Sequence, residues 1–514
     1  MMKSVGGTFF FIFVFLAWTI TKSKLKKRRN NAKAAALGCQ PPPVLRSKNL
    51  IGNSILRESM KATKEDRGPQ YVMEKMDSVS PNCHTIKVPI IDYEIFVTRD
   101  PENARVLFTS ADFDISHTRQ MSWMPLLGKG IFTSRGEIWK HSRSLLRPQF
   151  AREMISDPQL EEYHLKNLWG KLSADAATGW TGQVDLAPLF FRFTLDTSTE
   201  FIFGQSANSL QEESGDKKKD LASHFNAAKV WIDKRGALAK FYWLMNSSEF
   251  KEHCARIHQF ADGLVADRLA HPPEKFNADP EKGGRFNLLN ELAKETQNPR
   301  ELRNETLHVL IAGRDTTGCL LGWVVYFLAR YPAVFEKLRN AVLEKFGDRP
   351  ADFRSLNQVP YLQYIINETL RIVTVIPLNE RIALKDTVLP RGGGPDGKSR
   401  VFIPEGTQVL IPLYAMQHRK DIWGPDVEEF RPERWETHRP GWEFIPFGAG
   451  ARKCLGQQFG KQEVSYVISR FCQKYDRIEN MEVGDGRVRL HHAIENRSGT
   501  GVQVRLHEAK TSSA

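Results

Sequence analysis

Cysteine is scarce in this chain of 514 residues: six, at positions 39, 83, 254, 319, 454 and 472. None lies in a Cys-x-x-Cys pair or at zinc-ligand spacing, which excludes a zinc ribbon and a dithiol redox centre. So scattered a set fits a reducing compartment, where most thiols are small apolar packing residues. No glycine fingerprint of a dinucleotide-binding fold is present, which excludes a flavin or nicotinamide domain carried on the same chain. No repeat of solenoid period is present either. Between residues 44 and 510 no low-complexity stretch and no strong linker breaks the chain, so residues 44–514 are expected to form one large domain.

Long apolar runs are nearly absent too. The exception is VGGTFFFIFVFLAWTI, Val5–Ile20, without a single charge. As a helix it spans about 24 Å against a hydrocarbon core of roughly 30 Å, a gap that snorkelling lysines and an interfacial Trp18 can close. A cleavable signal peptide needs a basic start and a small-residue cleavage site, and neither is there. The basic run TKSKLKKRR, Thr21–Arg29, follows the apolar stretch instead, so the positive-inside rule puts the remainder in the cytosol. Residues 1–21 are therefore expected to be a single-pass membrane anchor and 22–43, ending in three prolines, a basic and semi-rigid linker. The net charge of +13 is otherwise interspersed with acids, which fits a membrane surface and not nucleic acid.

What the body does contain is mostly helical periodicity. Strand signals are confined to Thr85–Ile90 with Tyr93–Val97, to Val401–Pro412, and to a C-terminal stretch around Val488–Leu506 whose alternation reads as a hairpin. Asp100-Pro101 starts a helix with an N-cap and a proline at the first position. From Glu301 to Arg330 runs a helix of about 45 Å, apolar all round in its second half, as a central buried helix should be. The expected class is mostly α with a minor β region.

Four motifs carry chemistry. FGAGARKCLG, Phe447–Gly456, surrounds Cys454 with small residues and cations. Gly448, Gly450 and Gly456 leave room for a flat ligand, Phe447 offers an aromatic wall, Arg452 a cation for a carboxylate, and nearby charge favours a thiolate. The five fixed positions arise by chance in roughly one chain of this length in ten thousand. AGRDTT, Ala312–Thr317, sets an acid and a hydroxyl in the middle of the apolar helix, where both are poor helix formers and costly unless they handle something polar. ETLR, Glu368–Arg371, pairs two charges on one helix face. WKHSR sets Trp139 and Arg143, four residues apart, on one helix face.

The Cys454 loop resembles the haem-binding loop of the cytochrome P450 superfamily, and all four motifs fall in the order of that family. The resemblance implies the cytochrome P450 fold of the microsomal class, with an N-terminal transmembrane helix at the endoplasmic reticulum. It implies Cys454 as axial thiolate to haem b, and Asp315 with Thr316 as the pair that delivers protons to dioxygen. Trp139, Arg143 and Arg381 (in PLNER) are implied partners of the haem propionates, while Phe447, Gly450, Arg452 and Gly456 are implied in holding the macrocycle. Glu368, Arg371 and the Arg434 region are implied in a structural charge network. Ala312 stands where some relatives place a glutamate that esterifies the haem, which implies a non-covalent cofactor. Electrons then come from a separate NADPH–cytochrome P450 reductase, for which Lys453 is a docking candidate.

AGRDTT, PLN-x-R, LPRGGGPDGK and GCQPPP together resemble the fungal alkane- and fatty-acid-hydroxylating group, which implies oxidation at or near the end of a long aliphatic chain. Two departures lie close to where substrate should sit: Ile372–Ile376 replaces an aromatic-proline pair, and Glu380 an aromatic. A tailoring enzyme acting on a polyketide or terpenoid is the alternative. A haem-thiolate isomerase or peroxygenase and a non-enzymatic haem sensor are the remaining readings, and the sensor gives no reason for an acid beside a hydroxyl.

Overall fold

The computed structural model describes residues 18, 21–22, 24–48, 53–80, 83–90, 93–150, 158–211, 221–271 and 286–510. These are mostly helical with a minor strand content, the expected class. The apolar run Val5–Ile20 lies, Trp18 excepted, outside the described residues, and the expected transmembrane helix with it. Among the described residues no single helix is long and apolar enough to cross a membrane.

The chain divides into two compact units. The first draws on Met1–Leu56, Met73–Asp114 and Glu380–Ile411. Its sheet aligns Thr85–Ile90, Tyr93–Thr98, Gln408–Pro412, Leu378–Ala383 and Phe113–Asp114, in that spatial order. The first two strands form the expected hairpin, in register from Thr85 opposite Thr98 to Ile90 opposite Tyr93. Asp100 caps the helix Pro101–Thr109 by accepting from the amides of Glu102 and Asn103. Val401–Pro412, read as one strand patch, is two strands in two sheets: Gly406, at φ +77°, turns the chain between them.

The segment expected as a linker also differs from expectation. Residues 24–36 are helical, which the run AKAAAL favours by propensity, and Gly38 at φ +65° ends the helix. The following QPPP stretch is docked, not free. Gln40 N–H donates to Arg400 O (2.9 Å), Gly394 N–H to Pro41 O (3.1 Å) and Lys87 N–H to Pro43 O (2.8 Å). A Cβ on Gly393 would stand 2.4 Å from Gln40 O, so this approach requires glycine.

The second unit draws on Arg57–Val72, Ile115–Asn379 and Pro412–Ala514. The helices that position the site are α1 (Gly136–Leu146), α2 (Leu186–Phe203), α3 (Leu221–Ala237), α4 (Pro299–Arg330), α5 (Pro360–Val373) and α6 (Gln457–Lys474). Asn298 starts α4 by accepting from Arg300 and Glu301 amides, with Pro299 at the first position. Leu302, Leu307, Leu310 and Ile311 of α4 enter the core beside Phe201 and Ile202 of α2 and Phe225 of α3. Each such side chain contributes about 1.5–3 kcal/mol by leaving water. Glycines let α2 come close: a Cβ on Gly318 would meet Thr194 Oγ1 at 2.9 Å and Phe191 Cδ1 at 3.0 Å. Thr194 Oγ1 uses that proximity to donate to Arg314 O (2.7 Å). The C-terminal stretch forms the expected hairpin, Leu490–His492 with Asn496–Ser498, while Gln503–Glu508 pairs instead with Tyr475–Asn480.

Candidate active site

Cys454 lies in the turn that leads into α6. The turn closes on itself: Gly448 N–H donates to Ile445 O (2.9 Å) and Cys454 N–H to Phe447 O (3.0 Å). Gly448 and Gly450 take φ of +65° and +64°, which explains both glycines by backbone geometry before any ligand is considered. Gly456 has no such need, and a Cβ there would find Phe150 at an ordinary 3.7 Å. Of the six cysteines only Cys454 is exposed. Its surroundings are nonetheless close enough that burial pushes the thiol up, against the Gly456 amide, Arg143 and Lys453, which pull it down. The cations act in the expected direction, but they do not outweigh burial; a bound metal ion would, since it deprotonates a coordinating thiol outright.

Beside the turn stand α1 and the loop that precedes it. Arg452 donates from Nη1 to Ile131 O (3.3 Å) and from Nη2 to Ser134 O (2.9 Å), with its guanidinium 4.5 Å from the Trp139 ring centroid. Arg143 Nη1 donates to Lys453 O (3.2 Å), and its guanidinium lies 5.9 Å from the same ring. Burial holds the Arg143 pKa below its usual value, with Arg147 adding to that and Cys454 opposing it. Two side chains have buried donors without a partner among the described residues: Trp139 Nε1, and Nε and Nη2 of Arg135. Arg135 was not singled out from the sequence; it stands just before α1 on extended backbone (φ −127°, ψ 170°), four positions ahead of Trp139. Unsatisfied buried donors are costly, so this set is suited to anionic oxygens that complete it.

On α4, Ala312, Gly313 and Thr316 are half-exposed while their neighbours are buried. Thr316 Oγ1 donates to Ala312 O (2.7 Å), the local diversion of a helix carbonyl expected of this residue. Asp315 is buried elsewhere: Arg314 Nη1 (2.7 Å) and Lys229 Nζ (3.0 Å) both meet its Oδ1. The helix α6 that follows the cysteine packs on this part of α4, with Leu455 and Phe459 against the core that holds Ile311, and Gly460 against Thr317. Arg381 belongs to the other unit, where it is buried over Phe108 at 4.6 Å and donates to Glu380 O (2.8 Å).

A buried charge network supports the approach to the loop. Glu368 Oε1 accepts from Arg371 Nη2 (2.9 Å), Arg434 Nε (2.8 Å) and the Arg431 amide (3.0 Å). Its Oε2 accepts from Arg371 Nε (2.9 Å) and Trp435 Nε1 (3.0 Å). Arg371 also donates to Val427 O and Glu429 O. Trp435 in turn packs against Phe444, ring centroids 4.6 Å apart and planes tilted by 54°, three residues before Phe447.

The residues present fit an iron porphyrin: an accessible thiol in a glycine-bent turn, and unpartnered donors beside it for carboxylates. The comparison with known families agrees. Residues 62–486 match the family model described as cytochrome P450, and the chain belongs to that family. Its members carry a haem-thiolate iron, use dioxygen and take electrons from a redox partner, and this chain is accordingly an oxidoreductase of the monooxygenase class. It is 38% identical to cytochrome P450 monooxygenase g430 of Fusarium sp, over 98% of this chain and 90% of that one. It is 40% identical to cytochrome P450 52A12 of Debaryomyces hansenii (85% and 86% covered) and 39% identical to cytochrome P450 52A9 of Candida maltosa (84% of each).

Proposed function

We propose that this protein inserts one oxygen atom from dioxygen into an elongated aliphatic substrate, at or near a chain terminus. The observation that carries the reading is the single exposed thiol, Cys454, on a glycine-bent turn beside unpartnered cationic and indole donors. In this reading Cys454 would supply the thiolate that holds a non-covalent haem b, and the iron would supply dioxygen binding and reductive activation. Trp139, Arg143, Arg452 and the added Arg135 hold its propionates, with Arg381 a further propionate candidate. Phe447, Gly450 and Gly456 shape the face it lies on.

Thr316 and Asp315 divide the proton work. The Thr316 hydroxyl sits at the half-exposed face of α4 with Ala312 O as its resting acceptor, so it can turn and donate without leaving a buried group stranded. Asp315 keeps one oxygen, Oδ2, without a partner among the described residues, and that atom is the one placed to accept a proton and pass it on. Electrons come from NADPH–cytochrome P450 reductase, with residues 1–21 anchoring the chain to the endoplasmic reticulum, 22–43 linking it and 44–514 forming the cytosolic catalytic domain. The relatives named cytochrome P450 52A support the alkane and fatty-acid substrate class.

A second reading, tailoring of a polyketide or terpenoid, is favoured by one feature. The departing segment Ile372–Ile376 turns at Thr374 with φ +47°, a left-handed conformation unusual for a β-branched residue, held by Gln417 Nε2 donating to Thr374 Oγ1 (2.6 Å). The test is NADPH-dependent oxygen consumption with reductase present, scanning alkanes and dodecanoic acid against long polyketides. Terminally hydroxylated dodecanoic acid is the expected product. Hydroxylation of the polyketides alone selects the second reading, and product formation that ignores both NADPH and Thr316→Ala points to peroxygenase or isomerase chemistry.

A further inference from the structure

Asp315 is one corner of a buried cluster that no local sequence pattern announces. Lys229 Nζ on α3 lies 3.0 Å from Asp315 Oδ1 and 2.6 Å from Glu495 Oε1 on the C-terminal hairpin. Arg314 Nη1 is the second cation on Asp315 Oδ1, and its Nη2 donates to Asn226 Oδ1 (3.0 Å). All four charged side chains are nine-tenths buried or more. Asp315 Oδ2 and Glu495 Oε2 are buried without a partner among the described residues. The hairpin is fixed where it meets the cluster: Asn496, next to Glu495, accepts at its carbonyl from Trp323 Nε1 and Cys319 Sγ of α4, and its amide donates to Val375 O. Asp315, Cys319 and Trp323 are successive turns of one helix face.

We propose that Lys229 and Glu495 are positioning residues for Asp315: the ammonium fixes Oδ1, the second carboxylate holds the ammonium from its far side, and Oδ2 is left as the one oxygen able to take a proton from water and give it up again. The inference rests on the proton role of Asp315 stated above. Two cations on one oxygen of a carboxylate direct the unpaired oxygen by geometry alone, and an ammonium shared between two acids cannot swing onto that second oxygen while Glu495 retains it. The other titratable groups facing the cluster are Asp233 on α3, Arg497 on the hairpin and Cys319 on α4. Burial, then Glu495, pushes Asp233 up to about 8, so it is neutral at pH 7 and leaves Lys229 to the other two acids. Packed α2 contributes Phe191, whose ring centroid is 5.6 Å from Lys229 Nζ.

The test uses the haem-loaded full chain with reductase and NADPH, without substrate, and measures how oxygen divides between peroxide and water. Lys229→Met and Glu495→Gln are each expected to raise the peroxide-to-water ratio about three- to tenfold, as Asp315→Asn does, and to change the solvent isotope effect on that ratio. The reduced carbon-monoxide spectrum and the first-electron reduction rate should stay as in the parent. In the resting protein, without turnover, Lys229→Met should gain a carboxylic-acid infrared absorption that disappears in Lys229→Met/Glu495→Gln, because Glu495 without its ammonium holds a proton. Where Glu495→Gln does not load haem, Glu495→Asp carries the same expectation. Unchanged ratios and isotope effects beside a responsive Asp315→Asn would overturn the proposal alone. A silent Asp315→Asn would strike the proton role of Asp315 first, and the missing infrared band would refute the shared ammonium.

Discussion

Two charged regions of the second unit meet the same problem in opposite ways. Around Glu368 every oxygen of the carboxylate is bonded, by Arg371, Arg434, Trp435 and a backbone amide, and the guanidiniums end on carbonyls. Around Trp139 the indole N–H and two nitrogens of Arg135 are as thoroughly removed from water, yet end on nothing among the described residues. Closed networks of buried charge serve the fold, because breaking one leaves an uncompensated ion. Open ones are kept only where a ligand completes them. In the proposed function the first region holds the approach to the Cys454 loop in place and the second receives the haem carboxylates.

The contrast can be broken from its closed side with the largest effect. Arg371→Ala leaves the buried Glu368 with Arg434 as its one remaining ion-pair partner and should cost about 3–5 kcal/mol of stability, seen as loss of folded, haem-loaded protein in thermal unfolding. On the open side Trp139→Phe should leave the unfolding of the haem-free chain nearly unchanged. It should instead speed haem loss to a scavenger by about tenfold, the worth of one charge-assisted hydrogen bond. If both substitutions weakened folding alike, the distinction would fail. Thr316→Ala should retain haem and its spectrum while peroxide release rises at the expense of hydroxylated product.

A smaller and pH-dependent effect sharpens the comparison on α4. Burial pushes Glu305 up to about 7 from an unfolded value of 4.5, with Glu301 adding to it and Ser142 and His141 opposing. The native state therefore keeps a proton that the unfolded chain releases, so its contribution is fully present below pH 4.5 and is lost as pH rises to about 7. Glu305→Gln should flatten that part of the stability-against-pH curve, measured by denaturant titration.

Legibility followed the span of each interaction. The Cys454 turn, the Thr316 diversion and the Glu368–Arg371 pair are set within ten residues, and composition with helix spacing displays them. Arg135 was equally local and was passed over, because it lies on extended backbone just before the helix that carries Trp139 and Arg143, where helical spacing does not display it. The Ala-rich stretch that makes residues 24–36 helical was likewise readable, but the prolines after it dominated the expectation. The Lys229–Glu495 pair spans 266 residues, and only the packing of α3 and the hairpin on α4 brings it together. For Arg381 the sequence offered a propionate role, whereas the structure describes its place in its own unit, over Phe108.

The account stands most directly on Cys454. Purified protein, loaded with haem, reduced and exposed to carbon monoxide, should show the strongly red-shifted band of thiolate-ligated iron, and Cys454→Ala should lose that band while keeping the Glu368 network and the fold. The same band persisting in Cys454→Ala, or its absence from folded, haem-loaded parent protein, would contradict it.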